Sequence, residues 1–348
     1  MKKEYRDYVA KQLENVLSID SPTGYTDEVQ KYIADELKKL GYKPQLLNKG
    51  GVFCSIGGKK DHPLTFLAHA DTLCAVVRHI KPNGHLAISN ISFHPGQIET
   101  ENVRVISRFD GIYEGTIQLE NPSVHVNPDV DQKREIEKNM EVVLDEKVYS
   151  KEDVEKLGIC SGDVIALEPR FRITKNGYIK SRFLDDKASV AILLAFAKYV
   201  KEEKVKLPRR VDLLFTVYEE IGHGGACGIP EDAVEIIAVD MGCVGTDLDC
   251  TEEMVSICAK DSSGVYNHHV VDNLIRAAKE AKLNYAIDIY PRYGSDASAA
   301  LRTGYDVRAG LIGPGVFASH GYERSHLDGI AATFDLMVSY LKKDRFDD

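Results

Sequence analysis

Apolar and polar positions along this chain follow two rhythms. Over 4–18 and 26–40 apolar residues recur at helical spacing, and Ser21-Pro22-Thr23-Gly24 between them reads as a loop that caps the second helix. Short apolar runs bounded by turn residues then recur at 64–68, 211–217, 233–239, 255–259, 285–289 and 307–312, and these predict buried strands. Helical patterns lie among them at 186–203, 267–282 and 328–343, with a shorter one near 296–302. Such alternation predicts an α/β core whose sheet is covered by helices on both faces.

The stretch 75–176 breaks this rhythm. It is rich in short β-like segments, glycine and turns such as Asn121-Pro122, Asn127-Pro128 and Ser161-Gly162-Asp163, and it lacks long helical periodicity. Core-like strands occur on either side, so it reads as an inserted small β domain between 1–74 and 177–348, with the charged segment 129–141 as its loop. No internal repeat or low-complexity tract is present.

Composition narrows the function. The 348 residues suffice for one large or two moderate domains, and 43% hydrophobic with 28% charged residues is ordinary globular usage. A formal charge of -10 argues against a nucleic-acid partner, and no apolar stretch reaches the length of a membrane span. The mixed-charge start Met1-Lys2-Lys3-Glu4 has no secretory apolar core, which predicts a cytoplasmic protein. Seven scattered cysteines without a Cys-x-x-Cys predict reduced, mostly buried thiols.

The candidate chemistry sits where apolar runs end. Leu64-Thr-Phe-Leu-Ala-His69-Ala-Asp71 delivers an imidazole with a carboxylate two residues on that can hold its other nitrogen. Val217-Tyr218-Glu219-Glu220-Ile221-Gly222 runs two adjacent carboxylates into a glycine-rich loop, and Val239-Asp240 ends another apolar run with an acid. Leu184-Asp185-Asp186-Lys187 precedes an apolar helix, so one aspartate could bridge two cations while its neighbour caps the helix. After the last strand, Gly313-Pro-Gly-Val-Phe-Ala-Ser-His320 brings a further histidine to the same edge. Ligands gather beyond the carboxyl ends of strands in open α/β sheets. Imidazoles and carboxylates converging there suit a pair of divalent ions, zinc by default with cobalt or manganese as alternatives. A carboxylate left over could take a proton from water and pass it to a leaving amine.

These motifs, in the order His-x-Asp, Leu-Asp-Asp-Lys, Glu-Glu-x-Gly, Asp-x-Gly and a late His, resemble the M42 family of metallo-aminopeptidases over nearly the whole chain. The resemblance implies a zinc-exopeptidase-like mixed sheet with an inserted PDZ-like or barrel domain that helps oligomerisation. It implies His69 and Asp240 on one ion, Glu220 and the late histidine on the other, Asp185 as the bridge, Glu219 as general base and Asp71 orienting His69. Asp296, in Gly294-Ser295-Asp296-Ala297, takes a supporting part. The implied substrate is a short peptide cut at its N-terminus, and the implied assembly is a homo-oligomer, from dimer to dodecamer.

Two departures lie near the substrate. Ala70-Asp71-Thr72-Leu73-Cys74 stands where family members carry Met-Asp-Glu, and Gly321-Tyr-Glu-Arg-Ser-His326 follows His320, so two histidines compete for the late position. Spacing from Gly313 favours His320. His223, in the glycine-rich loop beside the paired carboxylates, could touch substrate or make a structural hydrogen bond, whereas His268, His269 and those before or within the insert read as surface or packing residues. A related metal-dependent deacylase of N-acylated small peptides, and a catalytically silent metal-binding homologue, remain as alternatives.

Overall fold

The computed structural model describes residues 1–59, 61–109 and 111–346. The chain forms two compact units, residues 1–72 with 170–348, and residues 73–169.

The larger unit is built on a mixed sheet flanked by helices. At its centre four parallel strands lie side by side in the order Val211–Thr216, Leu64–His69, Glu235–Val239 and Arg308–Phe317. Val52–Gly57 joins antiparallel on one side, and Val255–Asp261 pairs antiparallel with Arg308–Phe317 before taking Tyr285–Ile289 in parallel. Leu64–His69 and Val211–Thr216 are buried at every position. That is why they read as largely apolar runs rather than alternating ones.

Helices cover the sheet through stripes that the sequence displays. Lys3–Leu17 buries Tyr5, Val9, Leu13 and Val16, and these meet Leu184–Glu202, whose run from Val190 to Ala197 is buried throughout. Tyr5, Phe196, Tyr199 and Phe334 form an aromatic cluster there, with Tyr5–Tyr199 and Tyr199–Phe334 centroids 5.5 Å apart in edge geometry. Each such pair contributes about 0.5–1.5 kcal/mol beyond its buried area. At the opposite edge from the strand carboxyl ends, buried Arg209 bonds Glu235 at 2.6 Å, and the Tyr340 hydroxyl donates to the same carboxylate at 2.9 Å.

The strand Arg308–Phe317 is longer than its apolar run predicts, continuing through Gly313-Pro314-Gly315 to Phe317. A Cβ at Gly313 would overlap the Asp240 carbonyl, so glycine permits the close approach that carries the strand past the neighbouring loop. The segment after 170, expected within the insert, instead adds Arg172–Ile173 to the edge of the large sheet beside Tyr178–Ser181.

The smaller unit is a closed six-stranded barrel: Ala75–Ile80, Leu86–Asn90, Met140–Leu144, Gly111–Leu119, Asn102–Ser107 and Val164–Leu167, which returns to the first. Val77, Ile88, Val105, Ile117, Val142 and Ile165 fill its interior. Closure leaves no sheet edge. The charged stretch read as a loop contains a helical turn, Ile136–Asn139. All seven cysteines are free thiols, and no described helix is long and apolar enough to cross a membrane.

Candidate active site

The four parallel strands end along one edge of the sheet, and each delivers a candidate residue there. His69 is the last residue of its strand and pairs in register with Thr216, two residues before the turn of Tyr218 that introduces Glu219 and Glu220. Asp240 follows Val239 directly, and His320 lies three residues beyond Phe317. Asp185 arrives from the start of the Leu184–Glu202 helix, where Asp185 and Asp186 have non-helical dihedrals and are joined by a cis peptide.

Two groups of donor atoms result, each able to hold a metal ion: His69 with Asp185 and Asp240, and Asp185 with Glu220 and His320. Asp185 belongs to both and turns a different oxygen toward each. Its Oδ1 is 3.1 Å from His69 Nε2, and its Oδ2 is 3.6 Å from His320 Nε2, which is also 3.6 Å from Glu220 Oε2. Glu219 Oε2 lies 3.7 Å from His69 Nε2, with the side chain 14% exposed. Asp185, Glu219, Glu220, Asp240 and His320 line one cavity of about 460 Å³, together with Arg292.

Electrostatics here are dominated by crowded acids out of water. Burial raises the pKa of Glu219 and Glu220 well above the carboxylate range, reinforced by the acids around them, and pushes Asp240 up to about 7. For His69 burial opposes the charged ring, but the hydrogen bond to Asp185 and the neighbouring carboxylates outweigh it and raise its pKa. Burial also opposes ionisation of Asp185, yet His69 and His320 hold its pKa below the usual value. Glu220 Oε1 is buried without a hydrogen-bond partner. An orphaned carboxylate oxygen among acids that repel one another fits a site whose missing charge is cationic. The Cys243 thiol, also lining the cavity, is pushed by burial up to about 12.

The supporting residues make contacts of their own around these groups. His69 Nδ1 meets the backbone carbonyl of Asp71 at 3.0 Å, while that residue's carboxylate stands at 3.6 Å. The Asp71 carboxylate also accepts from the Glu219 amide at 3.1 Å and from the Thr23 hydroxyl at 2.7 Å, tying the two loops together. Asp186, at the kink that opens the helix, accepts from the His69 amide at 3.2 Å. Asp296 accepts from the Gly225 amide at 2.5 Å and from Thr216, so it braces the glycine-rich turn after Glu220. A Cβ at Gly225 would overlap the Asp296 carbonyl oxygen, which explains the glycine.

His326 lies apart from both donor groups. Its Nε2 bonds the Asn176 carbonyl at 2.8 Å, and its Nδ1 accepts from the Asp328 amide at 3.0 Å as the cap of the Leu327–Tyr340 helix. Sequence reasoning passed over two other residues. Tyr293 donates to the Met241 carbonyl at 3.0 Å beside Asp240, and Glu323 is a buried acid bonded to the backbone of both Asp185 and His320. Tyr293 stands just before Gly294-Ser295-Asp296 and Glu323 within Gly321-Tyr-Glu-Arg-Ser-His326, so the signal for both was their place in segments already singled out.

The M42 glutamyl aminopeptidase family model matches residues 50–336. Over 332 residues the chain is 42% identical to "Putative aminopeptidase YhfE" of Bacillus subtilis (strain 168), covering 95% of this chain and 96% of that one. Among solved structures, an aminopeptidase from the archaeon Desulfurococcus kamchatkensis shares the fold with a TM-score of 0.86, at 22% identity over 97% of this chain and 95% of that one. The Pyrococcus horikoshii TET1 peptidase, which can assemble into a tetrahedron or a large octahedral shell, matches with a TM-score of 0.82, at 20% identity over 96% and 99% of the two chains. A family match across most of the chain, joined to a full-length relative at this identity, makes it a member of the M42 glutamyl aminopeptidase family.

Proposed function

We propose that this protein is a dinuclear metal-dependent aminopeptidase that removes N-terminal residues from short peptides in the cytoplasm. The observation that carries the reading is the pair of donor groups sharing Asp185, with one of its oxygens turned to each. His69 and Asp240 would hold one divalent ion, Glu220 and His320 the other, and zinc suits this mixture of nitrogen and oxygen donors, with cobalt or manganese as alternatives. Bound there, the ions would polarise a peptide carbonyl, lower the pKa of a water and offset the burial and the crowding of acids that raise the Glu219 pKa.

Glu219 is the general base in this reading. It belongs to neither donor group, and its amide is fixed by Asp71, so its carboxylate stays beside His69 within the cavity. It takes a proton from the water that adds to the carbonyl and returns it to the amine as the C–N bond breaks. Homo-oligomerisation is part of the same proposal, supported by the assembling fold relative and by exposed Phe109 and Ile112 on the barrel, 77% and 57% accessible.

The direct test is hydrolysis of aminoacyl and N-acetylated dipeptide substrates with added zinc, cobalt or manganese and a chelator control. Release from free N-termini that stops with chelator is expected. Cleavage confined to acylated substrates would replace the reading by a deacylase, and no turnover with any metal would point to a silent homologue.

The two late histidines separate cleanly. His320→Ala should lose one bound ion and nearly all activity, whereas His326→Ala should keep full metal content and lose only about 1 kcal/mol of stability with its helix cap. Metal analysis and thermal melting read both outcomes, and a reversed pattern would move the ligand assignment to His326.

A further inference from the structure

We infer that Glu323 is a positioning residue that sets the geometry of the two-metal site by clamping the backbones of Asp185 and His320. The inference rests on the proposed roles of those two residues as ligands. Glu323 is 2% exposed and belongs to neither donor group; both its oxygens accept from main-chain amides. Its Oε2 accepts from the Asp185 amide at 3.1 Å, and its Oε1 accepts from the His320 amide at 3.0 Å, with the Leu184 backbone bonded to it as well.

The topology explains why one side chain reaches both segments. Glu323 opens the strand Glu323–His326, which lies between Tyr178–Ser181 and the end of Arg308–Phe317. Glu323 pairs in register with Ser181, four residues before Asp185, and its strand is reached from Phe317 through the turn that contains His320.

That turn needs an anchor. Ala318 and His320 have φ of 59° and 63°, and Phe183, just before Leu184, has 65°; L side chains seldom adopt this region. Backbone of that kind persists where surrounding contacts over-determine it. The His320 side chain is 39% exposed, so packing fixes its imidazole less than the main chain does. A carboxylate is the group that can do this: two oxygens, four lone pairs and no hydrogen face converging N–H donors.

The test compares Glu323→Gln and Glu323→Asp by calorimetric titration of metal-free protein with Co²⁺, alongside thermal melting. Glutamine turns an NH2 donor toward one of the amides, while aspartate keeps the charge but loses the reach. Both should weaken at least one of two Co²⁺ affinities by about 10–100-fold, the usual scale for groups that orient ligands, with the metal-free melting temperature little changed. In active enzyme, kcat at limiting metal should fall while KM stays near the wild-type value, and excess Co²⁺ should restore kcat.

Wild-type affinities in both variants would overturn the role. So would an aspartate variant that binds like wild type while glutamine does not, since charge rather than position would then be at work. Wild-type protein that binds no Co²⁺ would remove the metal-site reading itself, a failure distinct from these. If the variants do not fold, amide exchange in the wild type decides: His320, on an exposed turn, should exchange slowly, and fast exchange there would overturn the clamp.

Discussion

Glu219→Gln should abolish peptide hydrolysis while leaving the metal content intact, with kcat lower by about 10²–10⁴-fold, the range a positioned general base supplies. Glutamine preserves the volume of the side chain and its amide bond to Asp71, and the two donor groups do not include residue 219. The change therefore removes only the ability to accept a proton. Reading kcat and bound metal on the same preparation makes the test decisive. A variant as active as wild type would sink the base assignment, and one that lost an ion would make Glu219 a ligand instead.

Asp185→Asn should have an even larger effect on metal, because it alters the one residue that both groups use. The two Asp185 oxygens face His69 and His320 at 3.1 and 3.6 Å, and an asparagine would replace one anionic oxygen by an NH2 that repels a cation. The variant should bind at most one ion, with affinity lower by at least about 100-fold given that merely orienting groups cost 10–100-fold, and its turnover should fall below detection. The amide of residue 185 would keep its bond to Glu323, so the fold around the site should survive. Two ions bound at wild-type affinity would show that each group closes without the shared carboxylate, and the dinuclear reading would lose its main support.

Much of this site was legible along the chain because the relevant signals are local. An apolar run that stops at His69, at Asp240 or just before Glu219 marks both a buried strand and its end, and parallel neighbours bring those ends to one edge. Roles that depend on which backbone lies nearby were not legible. Asp186 reads as a helix cap, and nothing local says that in the fold it accepts from the His69 amide. His326 and His320 look alike in the sequence; they part only because the chain folds His326 against Asn176 and the next helix.

Hydrophobic period and punctuation therefore determined the α/β core, the inserted β unit and the order of acids and imidazoles, since these follow from residue type and short spacing. Tertiary structure alone decided that Ser181 faces Glu323, that Asp71 holds the Glu219 amide, and that one aspartate turns an oxygen to each of two donor groups. Those contacts join residues as far as 148 positions apart. Their hydrogen bonds are fixed by strand pairing and burial, which no local pattern encodes.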